Sequence, residues 1–326
     1  MIGVISYLVF FATTASILAI AVLGLNLQWG NTGLFNGGVV AFFGAGAYGT
    51  LMLGGTAQAD HLGGFGLFYP IALMGGALSA GLLAWVVGML TLRLRHDYLA
   101  IATFGVAVTF ENVMRNAESF AGGAKGLRGF VRPLEAWVGD GFTYNIGFLA
   151  VVLCVLMAVF LFLERLIRSP FGRLLRAIRE DETAAQSLGK GPRRVRLTAF
   201  VTGSIIMGLA GGLYATFYAF VSPQDVLPTL TFQIWAMLIV GGAGNNRGAI
   251  PGAFIIWGVW TGSGWALSRF APIEAQLYAG SFQYILIGSV IVGMLLWRPQ
   301  GLFPEKLVVS QQANGKGNNN TEEKYQ

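Results

Sequence analysis

The sequence predicts an all-α polytopic membrane protein of about eight to ten transmembrane helices, some short or broken, with an amphipathic cytoplasmic helix between two of them. Composition is the first reason. Of 326 residues, 55% are hydrophobic and 11% charged, whereas a soluble domain carries about 25% charged residues. That leaves too little charge for a wet surface and excludes a soluble enzyme. The second reason is the recurrence of apolar runs near the roughly 20 residues a membrane helix needs. The third is 47 glycines with no triplet period, beside 24 Phe and 8 Trp. The aromatics exclude a disordered chain, and small residues are what closely packed membrane helices use.

Spans are expected at 4–25, 34–54, 67–92, 98–114, 144–166, 198–221, 230–243, 249–268 and 282–297, nine in all, one of them allowed to be broken. The chain turns apolar at residue 2 and its first basic residue is Arg93, so the start lacks the positive region of a secretory signal and reads as a retained span. After it, Asn26 to Gly33 is polar and Gly-bearing, and span 230–243 is short and ends in Gly241-Gly242-Ala243-Gly244. Non-helical backbone at membrane depth requires cover from protein or a water-filled cavity.

The net charge of +6 is explained by membrane orientation, with no nucleic-acid partner. Placing loop 165–197 in the cytoplasm puts sixteen basic residues inside and five outside, four of those five in loop 115–143. This satisfies the positive-inside rule and faces the N-terminus outward. Residues 1–308 form the transmembrane domain and 309–326 a polar, disordered cytoplasmic tail. Cys154, the single cysteine, can form no intrachain disulfide.

The loop within 167–197 is the most informative segment. Ser169 suits a helix N-cap, Pro170 the first helical position and Gly189 a left-handed stop, which bounds one helix of about 19 residues. Phe171, Leu174, Leu175, Ile178, Ala185 and Leu188 form an apolar stripe, with Arg173, Arg176, Arg179, Glu180 and Glu182 mainly opposite. Such a helix lies on a membrane or in a partner's groove. Arg176 and Glu180 are spaced to pair along it. By pattern alone, a solvated connecting helix is an equal reading.

Thr183 to Gly189 resembles the EAA-xxx-G loop of ABC importer permeases, with Thr183 in place of the first Glu. The longer run from Ser169-Pro170-Phe171-Gly172-Arg173 through Arg179-Glu180-Asp181-Glu182 to Gly189 resembles the LivM-type permeases of branched-chain amino acid importers. Leu34 to Gly38 with Ala41 to Tyr48, Tyr98 to Thr103, Gly122 to Leu127, Gly208 to Tyr214, Gly241 to Gly244 and Arg298 to Phe303 continue the likeness in order over about 24–303. The resemblance implies translocation of branched-chain or related small amino acids across a bacterial or archaeal inner membrane. It also implies ABC ATPase subunits, a homologous second permease and an extracytoplasmic substrate-binding protein as partners. Docking to the ATPase is expected from Gly172, Arg173, Arg176, Ala177, Arg179, Glu180, Asp181, Ala184, Ala185 and Gly189, and Ala185→Arg is expected to abolish uptake.

For the solute path the candidates are Asn26, Gln28, Asn36, Gly37, Gly38, Glu111, Asn112 and Gln233, polar or Gly positions in or beside apolar spans. The plainer alternatives are that Gln28 and Asn36 cap helix ends and that Glu111 pairs with Arg115 four residues on. The sequence holds no G-x-x-x-x-G-K-[ST] loop, so ATP and Mg belong to partner subunits and no cofactor is expected on this chain. His61 and His96 lie far apart in loops and suggest no metal site. Two other readings remain: a urea or short-amide permease of the same family, and a secondary transporter with Glu111 carrying a proton. A membrane enzyme is disfavoured, because no nucleophile, base and oxyanion donors can be assembled.

Overall fold

The computed structural model describes residues 2–56, 63–94, 96–128, 132, 133, 135, 139, 141–187, 189, 191–270, 272, 276 and 278–305. The tail at 309–326, Leu188 and His61 lie outside those residues. Twelve helices are described: α1 (Ile2–Leu25), α2 (Val39–Gly54), α3 (Tyr69–Thr91), α4 (His96–Asn116), α5 (Glu118–Ala121), α6 (Phe142–Arg168), α7 (Pro170–Glu180), α8 (Glu182–Ser187), α9 (Pro192–Tyr218), α10 (Pro228–Gly241), α11 (Asn246–Phe270) and α12 (Ala279–Trp297). Nine of them, α1–α4, α6 and α9–α12, correspond to the nine expected spans.

The apolar pattern decides where each helix sits. α1 is apolar on every side, as a helix surrounded by protein must be, and Ile17 to Leu23 is essentially solvent-free. It packs against α6, α9 and α11. α12 is just as apolar, yet among its residues only Ile287 is buried. Close packing around α9 depends on missing side chains. A Cβ on Gly46 would strike the Gly208 backbone, one on Gly211 the Phe43 carbonyl, and one on Gly24 would lie 2.6 Å from the Gly203 oxygen. These contacts let α1 and α2 pack on α9 at backbone distance.

Three boundaries differ from expectation. The second span becomes helical only at Val39; before it, Asn26–Gly30 forms one π-helical turn and residues 33–38 run non-helical. The polar side chains themselves cause this: Thr32 Oγ1 donates to the Leu27 carbonyl at 2.8 Å and Asn31 Nδ2 to the Asn26 carbonyl at 3.0 Å, which favours the wider turn. α10 lies two residues earlier than expected, over Pro228–Gly241, and keeps the expected shortness: its 14 residues reach about 21 Å, less than a full crossing. The third difference is the loop helix, which does not run unbroken from 170 to 189. Asp181 adopts extended backbone (φ −152°, ψ 104°) and separates α7 from α8.

At the end away from the loop, β1 (Leu127–Arg128) pairs antiparallel with β2 (Phe220–Val221). The turn leading into β1 places Gly122, Gly123 and Gly126 at φ of +69°, +56° and +69°, a conformation that glycine adopts freely.

Candidate functional site

The loop from α6 to α9 packs one face on the bundle and presents the other. On α7, Gly172, Leu175 and Ile178 are buried, and Ala185 of α8 is buried with them. A Cβ on Gly172 would strike the Ile167 carbonyl, so only glycine lets α7 fold back against the end of α6. Arg173, Ala177, Glu180, Asp181 and Ala184 are exposed and follow one another at steps of one to four residues, and Gly189 is exposed with φ +72°. The ten expected docking residues therefore divide between an outer and an inner face.

Ser169 sits at the N-cap position, but its hydroxyl donates to the Leu166 carbonyl at 2.6 Å instead of capping α7. Asp181 supplies the cap further on: its Oδ1 accepts from the N–H groups of Thr183 and Ala184 at 2.8 and 3.0 Å, starting α8. The expected Arg176–Glu180 pair is replaced. Arg176 donates to the Ile167 carbonyl at 3.2 Å, and Glu180 pairs with Arg179 at 3.0 Å. Arg179 also points inward, donating to the Gly30 carbonyl and to Glu305 Oε2 at 2.9 Å. One guanidinium thus joins the loop helix, the π turn after α1 and the C-terminal segment. Arg196 binds Glu182 at 2.7 Å and fixes α8 to α9. Beside that pair, an open groove of about 610 Å³ is lined by Glu182, Gln186, Pro192, Arg193 and Arg194.

Five of the path candidates come together where α1 ends. Gln28 Nε2 donates to the Phe200 carbonyl at 2.7 Å and to Ser204 Oγ at 3.0 Å, while its Oε1 accepts from Asn36 Nδ2 at 2.7 Å. Asn36 Oδ1 accepts from the Gly38 N–H, its carbonyl takes the Trp235 indole N–H, and the Gly37 N–H reaches Thr103 Oγ1 at 2.9 Å. Asn26 bridges Asn246 and the Gly244 N–H, both at 2.8 Å. Gln28, Asn26 and Asn36 are completely buried, and these bonds occupy their side chains. An apolar cleft of about 490 Å³ adjoins this cluster, with Trp29, Phe35, Phe104, Phe232, Trp235 and Leu295 among its walls. Phe35 stacks on Trp235 at 4.2 Å between ring centroids.

The other three candidates lie elsewhere. Glu111 and Asn112 are about 12 Å along α4 from Thr103. Glu111 pairs with Arg115, and Asn112 Nδ2 donates to the Val108 carbonyl at 2.8 Å. Gln233 lines a separate cavity of about 210 Å³ with Thr14, Tyr214, Asp225, Trp257, Trp260 and Tyr284.

Sequence reasoning missed Thr103, Ser204, Trp235, Asn246, Arg196 and Glu305. Glu305 follows the Arg298 to Phe303 motif by two residues, and that proximity was the available signal. The rest are single polar groups in helices, whose partners become visible only when the helices are packed.

The family model described as branched-chain amino acid transport system / permease component matches residues 7–295. The chain belongs to that permease family. It is 32% identical over 317 residues to the high-affinity branched-chain amino acid transport system permease protein LivM of Escherichia coli (strain K12), covering 90% of this chain and 69% of that protein. It is 26% identical over 321 residues to the probable branched-chain amino acid transport permease protein LivM of Methanocaldococcus jannaschii, covering 88% and 90%. A shorter match, 31% over 110 residues, links it to the probable branched-chain amino acid transport permease protein LivH of that organism, covering 32% of each chain. No solved structure matches. As a member of this permease family, the chain is a membrane transport component, and the five long apolar helices among its described residues suit that role.

Proposed function

We propose that this chain is the membrane-spanning subunit of an ATP-driven importer that carries branched-chain amino acids inward across a bacterial or archaeal inner membrane. ATP and Mg are held by two ATPase subunits, a homologous second permease completes the pathway, and an extracytoplasmic binding protein delivers the solute. The observation that carries this reading is the Arg179 contact. A helix with an exposed charged face is joined by one side chain to the broken end of α1, so force applied to α7 reaches the Gln28 cluster directly. A short rigid helix is a suitable lever for rocking one helix group against another.

In this mechanism the ATPase grips the face formed by Arg173, Ala177, Glu180, Asp181 and Ala184. Small Ala177 and Ala184 allow close approach, and the charges at the edge set orientation. Ala185 is turned inward, so its replacement would disturb the loop's own packing; Ala184 is the position that tests docking. The second permease closes the apolar cleft beside Trp235, giving the solute's side chain a dry wall.

The test is uptake by the assembled complex in proteoliposomes. L-leucine, isoleucine and valine should accumulate only with ATP, urea should not compete, and Ala184→Arg should reduce uptake at least 100-fold at unchanged membrane level. Accumulation driven by an ion gradient without ATP would instead support the proton-coupled reading, and unimpaired uptake by Ala184→Arg would remove the docking role.

A further inference from the structure

The cavity of about 210 Å³ lies in the half of the bundle away from the coupling loop, lined by residues of α1, α9, α10, α11, α12 and the turn Pro223–Val226. Its volume is more than ten times the about 10–15 Å³ that one water requires. Two of its N–H donors have no acceptor within the protein: Gln233 Nε2 and Trp257 Nε1, both buried. Gln233 is only 8% exposed. Buried donors in native proteins are almost always paired, so two on residues that line one cavity call for an acceptor from outside the chain.

The neighbouring groups define what that acceptor belongs to. Asp225 Oδ1 accepts from the Tyr214 hydroxyl at 3.3 Å, and its Oδ2 accepts from the Ser222 N–H at 2.8 Å and Ser222 Oγ at 2.7 Å. A carboxylate offers about four lone-pair positions, so one acceptor position remains on Asp225. The Trp260 and Tyr284 rings stand 5.4 Å apart between centroids, and Leu18 and Leu230 supply apolar surface. Two N–H donors suit an anionic oxygen, because charge-assisted bonds are the strong ones. A carboxylate together with aromatic faces suits an ammonium group.

We propose that this cavity is an entry site for an α-amino acid, in which Gln233 and Trp257 bind the carboxylate while Asp225 and the Trp260 and Tyr284 rings receive the ammonium. The proposal rests on the function proposed above and adds where the solute first meets this chain. It also separates Gln233 from Gln28 and Asn36: the first offers free donors to a ligand, and the others bind one another.

The experiment compares wild type, Trp257→Phe and Gln233→Glu in the complete complex in proteoliposomes, measuring L-leucine uptake and ATP hydrolysis stimulated by the binding protein. Trp257→Phe removes the N–H while keeping a ring, and Gln233→Glu sets like charge against the carboxylate. Uptake should fall at least tenfold in both, at an unchanged amount of assembled complex. Wild-type uptake in both variants would show that water alone occupies the cavity, overturning this proposal and leaving the proposed function intact. Absence of uptake by the wild type would overturn the function first and this site with it. If a variant also loses ATP hydrolysis, titration of the wild-type complex without binding protein decides the matter. L-leucine should then shift tryptophan emission and leucinamide, which lacks the carboxylate, should not; no shift with L-leucine overturns the site.

Discussion

The two buried polar regions of this chain are built on opposite plans. Around Gln28, at the loop end, the side-chain amides of Gln28, Asn26 and Asn36 are all partnered, in a network that reaches Ser204 and Phe200 on α9, Thr103 on α4, Trp235 on α10 and Asn246 on α11, while the nearby Asn31 Oδ1 has no partner among the described residues. Around Gln233, at the far end, two N–H groups are left without protein partners beside an open volume. Both regions present amides and aromatic rings in an apolar span, and composition alone makes them look alike. The difference is saturation. A saturated cluster acts as a joint that fixes where α1 stops and α2 begins, whereas open donors retain binding capacity for a solute.

The sharpest way to break that contrast is to delete each amide with a similarly sized apolar side chain and measure stability and uptake together. Gln28→Leu removes three buried hydrogen bonds and strands Asn36, so thermal unfolding in detergent should show a loss of about 3 kcal/mol or more. Gln233→Leu should leave stability within about 1 kcal/mol of wild type, because its Nε2 has no partner to lose, while uptake falls. Equal destabilisation by the two would show that the regions do the same job. Arg179→Ala tests the connection between joint and lever. It removes the contacts with Gly30 and Glu305, and it should lower uptake about tenfold while ATP hydrolysis continues, because the loop still docks but no longer moves the end of α1. The smallest effect is expected at Glu111. Its pair with Arg115 has one well-exposed partner and spans four residues, worth about 0.5 kcal/mol. Glu111→Gln should therefore transport at close to the wild-type rate between pH 6 and 8; a collapse of pH-dependent uptake would revive the proton-carrier reading.

Much of this was legible from the residues. Apolar runs located all nine helices that match the expected spans, five of them long and apolar enough to cross a membrane, because burying such runs leaves few alternatives in a bilayer. The loop's apolar stripe likewise grouped Leu175, Ile178 and Ala185 on one face, but that face packs on the chain's own bundle and not on a membrane or in a partner's groove. The break at Asp181 was not legible, since Asp is tolerated in helices and only the capping bonds to Thr183 and Ala184 show that it ends one helix and starts another. Adjacent Ala184 and Ala185, grouped together as docking positions, face different ways because consecutive residues of one helix point about 100° apart. The amides of Asn26, Gln28 and Asn36 stood out in the sequence, but their chemistry depended on Ser204, Phe200 and Asn246, about 170 to 220 residues distant. Pairings of that range are set by packing, and no local pattern announces them.

The sparse attachment of α12 has a consequence for the setting in which this chain works. Nineteen residues give it a length of about 28 Å, close to the thickness of a hydrocarbon layer. Its polar ties, Gln283 to the Trp260 carbonyl and Tyr284 to Thr229, both lie near its first turns. A thicker or thinner lipid layer would therefore tilt this helix about that hinge and carry the Tyr284 ring with it. Lipid chain length should thus act as a dial on entry, felt at Tyr284 before anything reaches the coupling loop.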